Sequence, residues 1–270
     1  MKSFCLGLIA VFSLSLVFFG PAAQGQDFET VWELKPIIGS ELSGWRHATL
    51  HQSFPDRGCR GVTRDVGISY PTNTGSKGFD GALANIANKK FTAFAEQRTS
   101  NCEDAEYGGN EASSRTTFVA RAPGKNHASI LFVGFAMPAG ANRPTAESEA
   151  LVVDLRTGIP VGLTDIFENP SQAIPALWPK VIEAWCRLGG ELPEPYTGPL
   201  GNRKCGRTPV LPDALKANYV PLSALGSVIL TPDGMLIRLD SPYAGAIGPQ
   251  EVTISKRDLL ALGAKGDIWQ

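Results

Sequence analysis

The sequence has 270 residues, with 25 Lys and Arg set against 26 Asp and Glu, and 43% of its residues are hydrophobic. Near-neutral charge without a basic run excludes nucleic acid or an anionic membrane surface as a partner held by charge. The length allows one sizeable core or two small ones, and 29 Gly and 20 Pro without an internal repeat imply many turns between short elements.

Residues 1–25 read as a secretory signal peptide. Met1-Lys2 is a short positive start, Leu6 to Phe19 is an apolar core, and Ala23 and Gly25 supply small residues before a cut at Gln26. Cys5 lies ahead of the apolar core without a lipobox. No later stretch has the roughly eighteen apolar residues of a transmembrane helix. The mature chain is therefore expected to be periplasmic or secreted, with no integral membrane segment. In an oxidising compartment, Cys59, Cys102, Cys186 and Cys205 read as disulfides with three possible connectivities. Sequential pairing, Cys59–Cys102 and Cys186–Cys205, joins sites that flank plausible elements. A zinc site would need close ligand pairs such as C-x2-C, and the sequence has none.

In chain order, Gln26 to Gly58 carries no clear period. Val62 to Pro71 (VTRDVGISYP) has strand composition, with Pro71 as a stop. From Phe79 to Gln97, Phe79, Leu83, Ile86, Ala87, Phe91 and Phe94 recur at helical spacing, with Asn85, Asn88, Lys89 and Glu96 on the opposite side. An acidic, Gly-rich loop precedes three strand-like runs, Thr116 to Ala122, His127 to Met137 and Ser148 to Leu155; PGKN between the first two suits a hairpin. Leu163 to Phe167 predicts a short helix capped by Thr164. Ile174 to Cys186 predicts a helix started or interrupted by Pro179. Glu191 to Pro212, with five prolines and three glycines, predicts a long irregular excursion. A hairpin then turns on Thr231-Pro232-Asp233-Gly234. After the Gly- and Pro-rich loop Ser241 to Gln250 come a strand over Val252 to Ile254 and a helix whose Ser255 and Asp258 form a capping box, stopped by Gly263. The expected fold is α+β, an antiparallel sheet meander with helices on one face. The expected organisation is a leader (1–25), an N-terminal segment (26–61) and one domain (62–270).

Three segments taken together resemble a known family. VTRDVGISYP…FDGALANIANKKFTAF is a strand ending in Tyr-Pro followed by a helix. EALVVDLRTGIPVGLTDIF carries Asp-x-x-Thr-Gly and then Leu-x-Asp-Ile-Phe. VILTPDGMLIRLDSPYAGAIGPQEVTISKRDLLAL holds a Pro-Asp-Gly hairpin, a Tyr-Ala-x-x-x-Gly loop and a strand ending at a polar cap. These are similar to the RsiV-like extracytoplasmic domain family, over about Val62 to Leu262. That family occurs in a lysozyme-sensing anti-sigma factor and as a non-catalytic domain of a peptidoglycan deacetylase. The resemblance implies an exported binding or sensory module whose partner is lysozyme or a peptidoglycan fragment. A Gly-Ala-His-like stretch expected before the third strand is missing, since PAGANRPTAESEAL has no His. The alternative is a cell-wall hydrolase or deacetylase accessory with an unrecognised active centre.

Residue chemistry adds little catalysis to this expectation. His47 and His51 at i, i+4 would share one face of a helix, but a metal site needs a third ligand and none is near. Asp154 precedes a Thr-Gly turn and Asp165 opens a short helix, positions at which Asp serves nearby backbone amides. Glu103, Asp104, Glu106 and Glu111 lack the order of a calcium loop. No catalytic residue, metal or cofactor is expected. Binding is expected on the irregular segments, with Tyr107, Tyr196 and Tyr243 as aromatic anchors. Loop 241–250 is expected to return the chain to the sheet beside the strand it left.

Overall fold

The computed structural model describes residues 35–99, 102, 111–141, 145–187, 210–239 and 250–270. Its larger sheet starts from the segment that showed no clear period. β2 (Arg46–Pro55) and β3 (Thr63–Thr72) form a long antiparallel pair in unbroken register from Arg46↔Thr72 to Pro55↔Thr63. The helix α1 (Lys77–Glu96) begins at Ser76, whose hydroxyl accepts from the Phe79 amide. It carries the chain over the sheet to β4 (Glu111–Arg121), which pairs parallel with β3. β5 (His127–Met137) and β6 (Thr145–Asp154) complete an antiparallel meander, and β1 (Ile37–Ile38) pairs parallel with the far end of β4. The strand order is β2-β3-β4-β5-β6.

The second half of the chain builds a second sheet: β7 (Ser227–Thr231), β8 (Gly234–Leu239) and β9 (Gln250–Ser255), all antiparallel. Leu239 pairs with Gln250, and the loop expected to return the chain to the sheet lies, up to residue 249, outside the described residues. Around this sheet lie α2 (Leu163–Ile166), α3 (Pro170–Arg187) and α4 (Lys256–Ala261). The α+β class is as expected. Two details differ from a single antiparallel meander: β3 and β4 run parallel because α1 crosses between them, and the strands divide into two sheets.

Each sheet has its own core. α1 buries Phe79 and Leu83 against Phe118, Ala120, Ile130, Phe132 and Val153, and Ala87 and Phe94 against Val66, Ile68 and Ala112. The larger core gathers Leu177, Trp178, Val181, Ile182 and Trp185 of α3 with Val228, Leu230, Met235, Ile237, Val252 and Ile254 of the second sheet. β7 lies against the larger sheet on the side away from α1. There the Leu230 amide donates to Ser129 Oγ at 2.9 Å, and Ser148 Oγ and Ser227 Oγ are 2.7 Å apart.

Local rules were overruled in two helices. α3 runs through Pro175 and Pro179 without a break, although each proline removes a helix donor. Seven buried apolar residues on one face hold it, because packing of such a face supplies most helix stability. Thr164 does not cap α2. The Gly162 amide donates to Asp165 Oδ2 at 2.7 Å instead, and Thr164 Oγ1 is buried with no hydrogen bond among the described residues. At α4 the capping box forms as expected, with the Asp258 amide donating to Ser255 Oγ at 3.1 Å and that hydroxyl donating to Asp258 Oδ2 at 2.6 Å. No helix among the described residues is long and apolar enough to cross a membrane.

Candidate ligand groove

α1 covers only part of the sheet face it crosses. On that face the strand registers align Ser114 with Ala136 and Thr145, and Thr116 with Gly134 and Glu147. Nearer the other end they align Phe118 with Phe132 and Glu149, and Ala120 with Ile130 and Leu151. The same face is therefore apolar under the start of α1, and small or polar beside its end. The end of α1 packs through Ala87 and Phe94 onto Val66, Ile68 and Ala112, and the small and polar residues farther along the sheet lie beside it. The result is a groove of two adjoining depressions, about 360 and 540 Å³, that share Phe94, Gln97, Ala136 and Glu147.

Charge of both signs lines this groove. Lys90 Nζ, half-buried, lies 3.0 Å from Glu149 Oε2 and 3.4 Å from Glu147 Oε1, joining helix to sheet across the gap. Burial opposes the charge on Lys90, but the hydrogen bond to Glu149 and the nearby Glu147 outweigh it and raise its pKa. Lys89 and Arg98 line the groove from α1 and the segment after it, and both are exposed. Gly134 lies beneath these side chains: a Cβ there would stand 3.0 Å from Glu147 Cγ and 3.1 Å from Thr116 Oγ1.

The end of the groove at Thr99 is locked by a buried ion pair. Asp56 Oδ1 accepts the amides of Gly58 at 2.6 Å and Cys59 at 2.9 Å, and its Oδ2 accepts the Thr99 hydroxyl at 3.0 Å. Arg64 Nε donates to the same Oδ2, and its guanidinium lies 5.3 Å from the centre of the Phe94 ring. Burial would raise the Asp56 pKa, but the Cys59 and Gly58 amides, Thr99 and Arg64 together lower it to about 2. The disulfide Cys59–Cys102 sits beside this cluster and ties the β2–β3 turn to the chain after α1. Cys186 is also disulfide-bonded, and Cys205 lies outside the described residues.

The residues singled out in the sequence fall in several places. His47 and His51 lie on β2, not on a helix, so four residues place them about 13 Å apart on one face, too far to share a metal. Among the described residues no group of His, Cys, Asp and Glu could hold a metal ion. His51 instead joins a network on the face away from α1. His51 Nε2 lies 2.9 Å from Asp65 Oδ1, Ser53 donates to that same oxygen at 2.5 Å, and Arg115 bonds the other. Ser, His and Asp meet here in the wrong order for nucleophilic catalysis, because a triad serine must bond the histidine rather than the carboxylate.

Asp154 and Asp165 do line one small cavity of about 290 Å³, together with His127 and Arg156. Both serve local structure. Asp154 Oδ1 accepts the Arg156 amide at 2.8 Å, and the Arg156 guanidinium, which bonds both its oxygens, is the main cause that lowers its pKa to about 2. Asp165 holds the Gly162 amide. His127 is buried, with Nδ1 lacking a partner among the described residues, and burial lowers its pKa. Tyr107, Tyr196 and Tyr243 lie outside the described residues, as do Glu103, Asp104 and Glu106; Glu111 opens β4 and is exposed. Sequence reasoning passed over Lys90, Glu147 and Glu149. The signal for the two glutamates was the alternation Thr145-x-Glu147-x-Glu149 at the start of a strand.

No protein-family model matches the sequence, and no curated protein matches it. Solved structures do. A DUF3298 family protein from Pseudomonas aeruginosa PAO1 is similar over 85% of this chain and 99% of its own, with a TM-score of 0.52 at 12% identity. A DUF3298 family member from Bacteroides fragilis is similar over 83% and 95%, with a TM-score of 0.49 at 14% identity. At such identity the Pseudomonas likeness establishes a shared fold and nothing about ligands.

Proposed function

We propose that this chain is an exported, disulfide-bonded binding module of the cell envelope, and that the groove beside α1 receives a peptidoglycan fragment. The observation that carries the reading is the open groove lined by opposite charges: Lys89, Lys90 and Arg98 against Glu147 and Glu149. A muropeptide is an elongated ligand with sugar hydroxyls, amides, free carboxylates and often a free amine. Lysines and an arginine suit its carboxylates, and the glutamates suit its amine. Small lining residues such as Ser114 and Ala136 leave room for a sugar ring. The resemblance to the RsiV-like domain family, drawn from the three segments, favours an envelope ligand of this kind. A catalytic reading has less support, because Asp154 and Asp165 are both committed to backbone amides.

Calorimetry with purified muropeptides tests this. Binding is expected well below millimolar, and Lys90→Ala is expected to weaken it about tenfold, roughly one charge-assisted hydrogen bond. Lysozymes form a second arm of the titration. Failure of every muropeptide to bind tighter than about millimolar, roughly 4 kcal/mol, ends the reading. Lysozyme binding alone would replace it with recognition of a protein partner.

A further inference from the structure

We propose that two copies of this chain associate through β2, pairing antiparallel about a two-fold axis at Leu50 so that their larger sheets become one. This inference is independent of what the groove binds.

β2 is the terminal strand of its sheet, with β3 on one side and no described residue paired on the other. It is ten residues long, a run of about 34 Å. Along it, alternate amides and carbonyls point outward and need partners. Proteins protect such edges with lysines, a mid-strand proline, a bulge, an inward charge or a covering segment. β2 has none of these among the described residues. Its register with β3 is continuous, its one proline is the last residue, and its one Lys or Arg, Arg46, is the first. The opposite edge of the same sheet is treated differently. There the Val161 amide donates to Val152 O at 2.8 Å, the Asp154 amide donates to Ile159 O at 3.1 Å, and Val153 bridges Pro160. The last residues of that edge, Val152 to Asp154, are paired by the chain's own return, and β2 has no such pairing among the described residues.

The side chains of β2 indicate what fills it. Leu50 and Phe54 are half-buried and carry the α1-side core outward to the edge, where it stops. Residues directly opposite in an antiparallel pair share a face, so under two-fold symmetry even positions must meet even positions. With Leu50 on the axis, every residue from Arg46 to Phe54 finds a partner. Leu50 meets the second copy's Leu50, Ala48 meets Gln52, Thr49 meets His51 and His47 meets Ser53. Arg46 meets the aromatic ring of Phe54 and not a second arginine. Placing His51 on the axis gives an equally long overlap, but it sets two imidazoles together and brings in Pro55, which has no amide hydrogen to donate. Axes at Ala48 or Gln52 shorten the overlap. The strand is self-complementary in one register.

That register is directly testable with cysteines. On-axis Cβ atoms of an antiparallel pair lie about 5 Å apart, close enough for a disulfide after small adjustment. Oxidised Leu50→Cys protein is expected to give a covalent dimer on a non-reducing gel. Ala48→Cys alone is expected not to, since its two copies would be about 14 Å apart, whereas a mixture of Ala48→Cys and Gln52→Cys is expected to cross-link. Sedimentation of the unmodified protein should show a concentration-dependent dimer, abolished by Leu50→Lys with circular dichroism unchanged. A protein that stays monomeric, with Leu50→Cys uncrosslinked, overturns the proposal. So does a dimer that survives Leu50→Lys, or a β2 edge that captures only a foreign peptide strand.

Discussion

Replacing Asp56 by Asn should be among the most damaging small changes available to this protein. Asn keeps a carbonyl oxygen for the Gly58 and Cys59 amides, so the turn retains its hydrogen bonds. What it loses is the charge opposite Arg64, in a pair whose side chains are 0% and 5% exposed. Breaking a buried pair by removing one partner costs roughly 3–5 kcal/mol, because the remaining charge stays desolvated. Arg64 keeps its contact with the Phe94 ring and a 3.3 Å bond to Thr99 Oγ1, which places the loss near the lower end, about 3 kcal/mol. The reverse change should be milder. In Arg64→Met the carboxylate still accepts from Gly58, Cys59 and Thr99, so about 1–2 kcal/mol is expected. The double variant should be more stable than the two separate losses imply, with a coupling of about 1–3 kcal/mol. Urea unfolding at neutral pH with disulfides intact measures all three. A loss below about 1 kcal/mol for Asp56→Asn, or a larger loss for Arg64→Met, would refute the reasoning.

Acid should destabilise the protein over a defined window. Asp56 and Asp154 both have folded pKa values lowered from 3.8 to about 2, so each contributes stability above the unfolded value, and that contribution is lost as pH falls from about 4 to about 2. Thermal unfolding across that range should show the drop, and Asp56→Asn should flatten it; an unchanged profile in the variant counts against the assignment. Gly234→Ala should cost more than about 2 kcal/mol, since its Cβ would stand 2.2 Å from Ile254 O at φ 146°. At Gly44, where φ is 97° but the space is open, the same change should cost about 1–2 kcal/mol. Equal losses at the two sites would mean that the approach of β9 to Gly234 is not what matters.

Elements whose burial repeats with a simple period were legible in the sequence. The stripe Phe79, Leu83, Ala87 and Phe94 has one wet and one dry side, and the structure buries all four. Turn and cap residues acted locally in the same way, since Ser255 and Asp258 need only each other and nearby amides. β2 was hidden because an edge strand buries little: no residue in it is fully buried, and its apolar side is only Ala48, Leu50 and Phe54. The histidines read as helical neighbours belong to that strand, where a period of two replaces one of 3.6. Composition, turn chemistry and amphipathic period determined the class and most of the elements. Only the tertiary structure decided that Arg64 and Asp56 would meet, that the strands would divide into two sheets, and that Lys90 would face Glu147 and Glu149. Such contacts join residues far apart in the chain, and they depend on strand register and on where a helix crosses a sheet. No local propensity carries that information.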